Sequence, residues 1–158
     1  MKILGIDPGS TRIGYGLIKS DSDLKVLDFG LIEIKASSIS EKLLLLADKF
    51  AKLLEKTKPD LVSVEKIYFA KNQKTAIEVA EARGVILFLI LKNKIPLLEY
   101  NPREVKQAVT GYGLADKIAV NKMVCRILNL EKISGPDDIA DALAIAITAA
   151  NRYKFDRL

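Results

Sequence analysis

The order of apolar and polar positions divides the chain into a strand-rich opening and a helix-rich remainder. Residues 2–6 (KILGI) form a short apolar run stopped by Asp7-Pro8-Gly9-Ser10, a dense cluster of turn formers. Residues 12–20 (RIGYGLIKS) and 24–34 (LKVLDFGLIEI) alternate in part and carry β-branched residues, with the polar link Asp21-Ser22-Asp23 between them. Three antiparallel strands are therefore predicted. From Ser38 the period changes. Ser38-Ile39-Ser40-Glu41 has the form of a capping box, and Leu43, Leu46, Ala47, Phe50 and Leu54 recur at helical spacing up to the region of Pro59.

Leu61 to Val64 reads as a buried strand, 73–93 as a second long helix and 96–100 (PLLEY) as a fifth, short strand. The later part of that helix (VILFLIL) is apolar all round, which predicts burial on more than one side. Further helices are expected near 103–109, across 116–129, and from Pro136 with Ser134 as its cap. The order is β-β-β-α-β-α-β-α-α-α, with no repeat, low-complexity stretch or dividing linker. It predicts one α/β domain over residues 1–158, with a mixed five-stranded sheet flanked by helices and the last few residues as a tail.

Composition narrows the chemistry. The 158 residues can bury a core without disulfides, and 49% hydrophobic with 28% charged residues is a globular profile. A net charge of +5 favours a polyanionic partner, though only weakly. The absence of histidine excludes Ser-His triads, His-ligated zinc and imidazole acid–base chemistry. A single cysteine, Cys125, excludes an intrachain disulfide and any multi-cysteine metal site. Carboxylates, lysines, hydroxyls or a hard metal ion remain. The opening MKILGIDPG lacks a signal-peptide pattern. The longest apolar run, Val85 to Leu91, is far short of the roughly 20 residues of a membrane span. A soluble, cytoplasmic protein is the expectation.

Four acids stand where a site could form. Asp7 ends the first strand, at a rim where α/β folds place ligands, although an Asx-type turn would account for it equally well. Glu65 ends the run Leu61-Val62-Ser63-Val64, a position that an ordinary solvated loop residue also takes. Asp138 and Asp141 share one face at the start of the last helix, where acids also complement the helix dipole. Asp137 shares a face with Asp141 too, so spacing does not choose between Asp137 and Asp138. Brought together, four carboxylates would repel strongly without cations, and two Mg²⁺ ions would balance their charge with oxygen ligands.

The words GIDPGSTRIGYG (5–16), VEKIYFAKN (64–72), EARGV (81–85), YNPREVKQAVTGYG (100–113) and DDIADALAIAI (137–147) occur in this order. Together they resemble the RuvC-type Holliday junction resolvases, over residues 1 to about 150. The resemblance implies a ribonuclease-H-like fold and a DNA endonuclease that resolves four-way junctions by paired symmetric nicks, in recombination and repair. It implies a metal-activated water attacking the phosphodiester. The family's catalytic and metal-binding carboxylates fall on Asp7, Glu65, Asp138 and Asp141, and the D-x-x-D-A-L-A form selects Asp138 over Asp137. Two Mg²⁺ ions per site are implied, with Mn²⁺ able to substitute. Phosphate-holding lysines map onto Lys106 and Lys117, with Lys71 added as a DNA contact. A base-stacking aromatic maps onto Tyr68, with Phe69 beside it. Implied partners are the four-way junction, a second copy in a two-fold dimer and a branch-migration helicase, with no membrane. The helix at 73–93 could supply part of the dimer surface.

Three other readings stay open on sequence. An actin-like ATPase has a similar strand-end aspartate and glycine turn but normally needs two such domains. A single-domain RNase-H-like family linked to RNA processing shares a GIDxG opening and differs in its later motifs. A junction-binding module without catalysis is the third, and the presence of all four acids argues against it.

Overall fold

The structure is a computed structural model that describes residues 1–67 and 73–155. Ten elements follow in order: β1 (Lys2–Pro8), β2 (Arg12–Ser20), β3 (Leu24–Glu33), α1 (Ile39–Thr57), β4 (Leu61–Glu65), α2 (Gln73–Lys92), β5 (Leu97–Tyr100), α3 (Pro102–Thr110), α4 (Lys117–Ile127) and α5 (Asp137–Phe155). The sheet runs β3-β2-β1-β4-β5. β1, β2 and β3 pair antiparallel, while β4 is parallel to β1 and β5 parallel to β4. This is the mixed five-stranded sheet that the pattern predicts.

The pleat sends alternate residues to opposite faces, and each face has its own core. Leu4, Ile6, Ile13, Leu17, Val62 and Val64 pack with Phe50 and Leu54 of α1 and with Ala82, Ile86 and Ile90 of α2. Ile3, Ile18 and Leu61 face the other way, onto α5, with α3 and α4 outside it through Val105, Val109, Val120 and Val124. Ser38 caps α1 by accepting from the Glu41 N–H, the first half of the predicted box, while the Glu41 carboxylate accepts from the Ser37 N–H and hydroxyl.

Three details depart from the sequence reading. β1 does not stop at Ile6 but continues through Asp7 and Pro8, because both still pair with β2 (Asp7↔Gly14, Pro8↔Ile13). Asp7 is thus a strand residue and not a turn residue. α5 begins at Asp137, which puts Pro136 and not Ser134 at the position before the first helical residue. α2 is not buried all round. Ile86 and Ile90 are sealed against the sheet, while Ile77, Phe88 and Leu91 are mostly exposed, because 100° per residue turns that stripe away from sheet and α1. Among the described residues, no helix is long and apolar enough to cross a membrane.

Candidate active site

Strand parity places the first two acids. Ile3 faces α5, so Gly5 and Asp7 on β1 face it as well. On β4, Leu61 packs in the α5 core and the Ser63 hydroxyl donates to the Ile145 carbonyl at 3.3 Å, so Glu65 leaves from the same face. The parallel pairing Ile6↔Val64 then sets Asp7 and Glu65 side by side at the carboxyl ends of neighbouring strands.

Small residues bring in the other two. A Cβ added to Gly5 would overlap the Ala142 carbonyl oxygen and lie 2.7 Å from the Ala146 nitrogen. One added to Gly14 would overlap the Asp138 carbonyl. Gly14 is the register partner of Asp7. Absence of side chains therefore lets the first turns of α5 rest directly on the strand pair that carries Asp7, with Asp138 and Asp141 at its rim.

The electrostatics record this convergence. Asp7 is pushed up to about 8 by burial, then by repulsion from Glu65, Asp141 and Asp138, against the pull of Lys117. Glu65 is raised to about 7 by burial and by Asp141, with Lys106 and Lys117 opposing. Burial also raises Asp141, where Lys117 opposes and Asp137 and Asp138 add to the rise. Lys117 is held above its ordinary value: burial works against its charge, and Asp141, Asp137 and Asp7 outweigh that.

Cationic side chains take up part of this negative charge. Arg12 lies 3.3 Å from Asp138, and Lys117 lies 3.4 Å from Asp137 and 3.7 Å from Asp141. Lys117 opens α4, whose cap is Asp116. Lys106 sits on α3, which starts with a full capping box between Asn101 and Glu104 and buries Val105 and Val109. The structure thus brings Asp7, Glu65, Asp138, Asp141, Lys106 and Lys117 into one electrostatic neighbourhood. Tyr68, Phe69 and Lys71 lie outside the described residues.

Among the described residues, no three acids converge closely enough to hold a metal ion as they stand. Asp138 and Asp141 are instead engaged by Arg12 and Lys117. The donor chemistry nevertheless fits a hard divalent cation. The cluster offers oxygen ligands only, and burial first, then neighbouring negative charge, makes ionisation of Asp7 and Glu65 costly, a cost that a cation would relieve.

Two residues here escape the sequence reading. Arg12 lies in the GIDPGSTRIGYG word, at the start of the strand that pairs with β1, but its partner Asp138 comes from α5, which the hairpin alone does not place. Arg83 lies in the EARGV word and donates from Nε to the Glu65 carbonyl at 3.1 Å across eighteen residues of sequence, a partner that the word does not indicate.

Comparison with known proteins identifies the family and agrees with the overall fold. The family described as Crossover junction endodeoxyribonuclease RuvC matches residues 3–149. A protein of that description from Caldicellulosiruptor saccharolyticus is 47% identical, covering 93% of this chain and 90% of its own. The Thermus thermophilus RuvC structure superposes with a TM-score of 0.89 at 30% identity, over 99% of this chain and 97% of that one. The T. thermophilus RuvC in complex with a Holliday junction substrate gives 0.88 at 28%, over 98% and 96%.

Proposed function

The chain belongs to the RuvC family of crossover junction endodeoxyribonucleases, and from that premise we propose that it resolves four-way DNA junctions by paired, symmetric hydrolytic nicks in recombination and repair. The observation that carries this reading is the pairing of two strand-end acids, Asp7 and Glu65, with the acidic start of α5 beside Lys106 and Lys117. The likeness to a relative in complex with a Holliday junction supports the substrate.

In this reading Asp7, Glu65, Asp138 and Asp141 hold divalent cations, two Mg²⁺ per site, with Mn²⁺ able to substitute. Bound there, such cations supply a more acidic water and charge stabilisation on the phosphodiester. The chain's own residues do the rest. Lys106 and Lys117 hold phosphates of the cut strand as point charges. Were a cation to take Asp141, Lys117 would keep Asp137 and hold its ammonium at the site for phosphate. Arg12 offsets the charge of Asp138. Tyr68 or Phe69 stacks on a base at the crossover, and Lys71 adds a phosphate contact.

Two nicks on a two-fold symmetric junction call for two sites in two-fold relation, hence a homodimer. The exposed stripe of α2, Ile77, Phe88 and Leu91, with Gly84 between, is the surface we assign to it. A branch-migration helicase is the further partner that family membership suggests.

The test is cleavage of labelled four-way junctions with several branch-point sequences, beside linear duplex and an RNA–DNA hybrid, in Mg²⁺ or EDTA. Paired nicks on junctions alone, lost in EDTA and in Glu65→Gln and Asp138→Asn, are expected. Preference for the hybrid, or binding without cutting in Mg²⁺ and in Mn²⁺, would overturn the reading.

A further inference from the structure

We propose that Arg83 is a positioning residue for the Glu65 carboxylate, fixing the peptide that follows it to α2 and β5. The proposal rests on the reading of Glu65 as a site acid.

The peptide between Glu65 and Lys66 is held at both of its polar atoms. Its N–H, from Lys66, donates to the Tyr100 carbonyl at 2.8 Å. Its carbonyl, from Glu65, accepts from Arg83 Nε at 3.1 Å. The β1–β4 ladder ends at Ile6↔Val64, one residue short of Glu65, so Arg83 acts where that ladder has stopped. The same guanidinium pairs through Nη2 with Glu99, whose register partner is Val64. A planar fork with donors in fixed relation thus ties α2, β4 and β5 at one point. Holding that peptide plane, with the β1–β4 ladder holding the residues before it, restrains the Cα of Glu65 from both sides and so the direction of its Cα–Cβ bond.

Packing alone does not call for an arginine here. Its side chain is only 17% exposed, mid-helix, next to Ala82 and three residues before Ile86, both fully buried in the core beneath α2. An apolar chain of similar length would fill that space, and Glu99, with 36% of its side chain exposed, would be left to water rather than buried without a partner. What an apolar chain lacks is a donor for the Glu65 carbonyl.

The experiment compares Arg83→Met, which keeps the stem and removes the donors, with Arg83→Lys, Glu65→Gln and the parent. Each is measured for junction affinity, dimer state, single-turnover cutting, and the Mg²⁺ concentration that half-saturates the rise in melting temperature. In Arg83→Met, junction affinity and dimer state stay close to the parent's, and melting in EDTA falls by about a few degrees, as expected for loss of one partly buried hydrogen bond and ion pair. Cutting slows about 10- to 100-fold, and the half-saturating Mg²⁺ rises by a similar factor, as for other groups that orient metal ligands. Arg83→Lys, with one donor centre in place of a fork, recovers part of both.

A parent-like metal response and cutting rate in Arg83→Met overturns the proposal. So does a loss of cutting that follows loss of the dimer and returns at higher protein concentration. If Arg83→Met fails to fold, Arg83→Lys decides: a weakened metal response supports positioning, and a parent-like one overturns it. Parent-like cutting by Glu65→Gln sinks the site assignment itself. An inactive Glu65→Gln beside a parent-like Arg83→Met sinks only the role of Arg83.

Discussion

Helices α2 and α5 are of similar length and similarly rich in apolar residues, yet the fold treats them in opposite ways. Residues 142–150 of α5 are buried without a break. α2 seals one face and leaves Phe88 and Leu91 each 62% exposed. Side-chain size accounts for the difference. α5 is mostly alanine and isoleucine where it meets the sheet, and the sheet answers with Gly5, Gly14, Gly16 and Ser63, so backbone comes close to backbone. α3 and α4 then close over its outer side. α2 carries large residues over most of its later turns, and among the described residues α1 and the sheet are the elements that pack on it. An all-round apolar helix in a sequence thus has two outcomes, and small residues mark the one that ends inside.

The comparison breaks most sharply at Gly5. Gly5→Val drives a branched side chain into the Ala142 backbone and is expected to cost about 4 kcal/mol or more, read from the urea midpoint. A loss below about 1 kcal/mol would mean that α5 can lift off the sheet at little cost.

The acidic end of α5 sharpens it next, through pH. Asp7 ionises near 3.8 when unfolded and at about 8 in the fold, and Glu65 near 4.5 and at about 7. Between those values the native state binds the additional protons. The contribution of these groups is full below about pH 4 and is lost as pH rises through 7 to 8. In EDTA the parent is therefore expected to weaken from about pH 5 to about pH 8.5, and Asp7→Asn to be the more stable of the two at the upper value by about 2 kcal/mol. Mg²⁺ at that pH should stabilise the parent and act less on the variant. A parent whose urea midpoint does not fall with pH contradicts this account.

The smallest stability effect belongs to α2. Phe88→Glu should change monomer stability by no more than about 0.5 kcal/mol, because the ring already meets solvent. Sedimentation should show its dimer weakened at least about 10-fold, since a charge is placed in the proposed interface. An unchanged dimer would move that interface elsewhere.

Much of the fold was legible because its signals are local. Strands β2 and β4, the Ser38 cap of α1 and the number of helices follow from alternation, period and turn residues. The limits of β1 were not, since pairing with β2 carries the strand through Asp7-Pro8, against their turn-forming habit. Exposure of Phe88 depends on how many elements reach α2, which periodicity does not count. At the site, Asp7 and Glu65 stood out as strand ends, and spacing left Asp137 and Asp138 level. In the fold Asp137 meets Lys117 while Asp138 meets Arg12 over the Asp7–Gly14 pair. Arg83 was hidden because its meaning is a single donor aimed at a carbonyl in another element.

The site draws Asp7 from the first strand and Asp138 and Asp141 from the last helix, and that separation sets when activity can begin. During synthesis the first strands emerge long before the helix that must lie across Gly5 and Gly14. A nascent or truncated chain that stops short of residue 138 carries Asp7 and Glu65 alone and no helix to complete the set. If these acids form the cutting centre proposed above, fragments that lack α5 are expected to be inactive, and activity to await completion of the core.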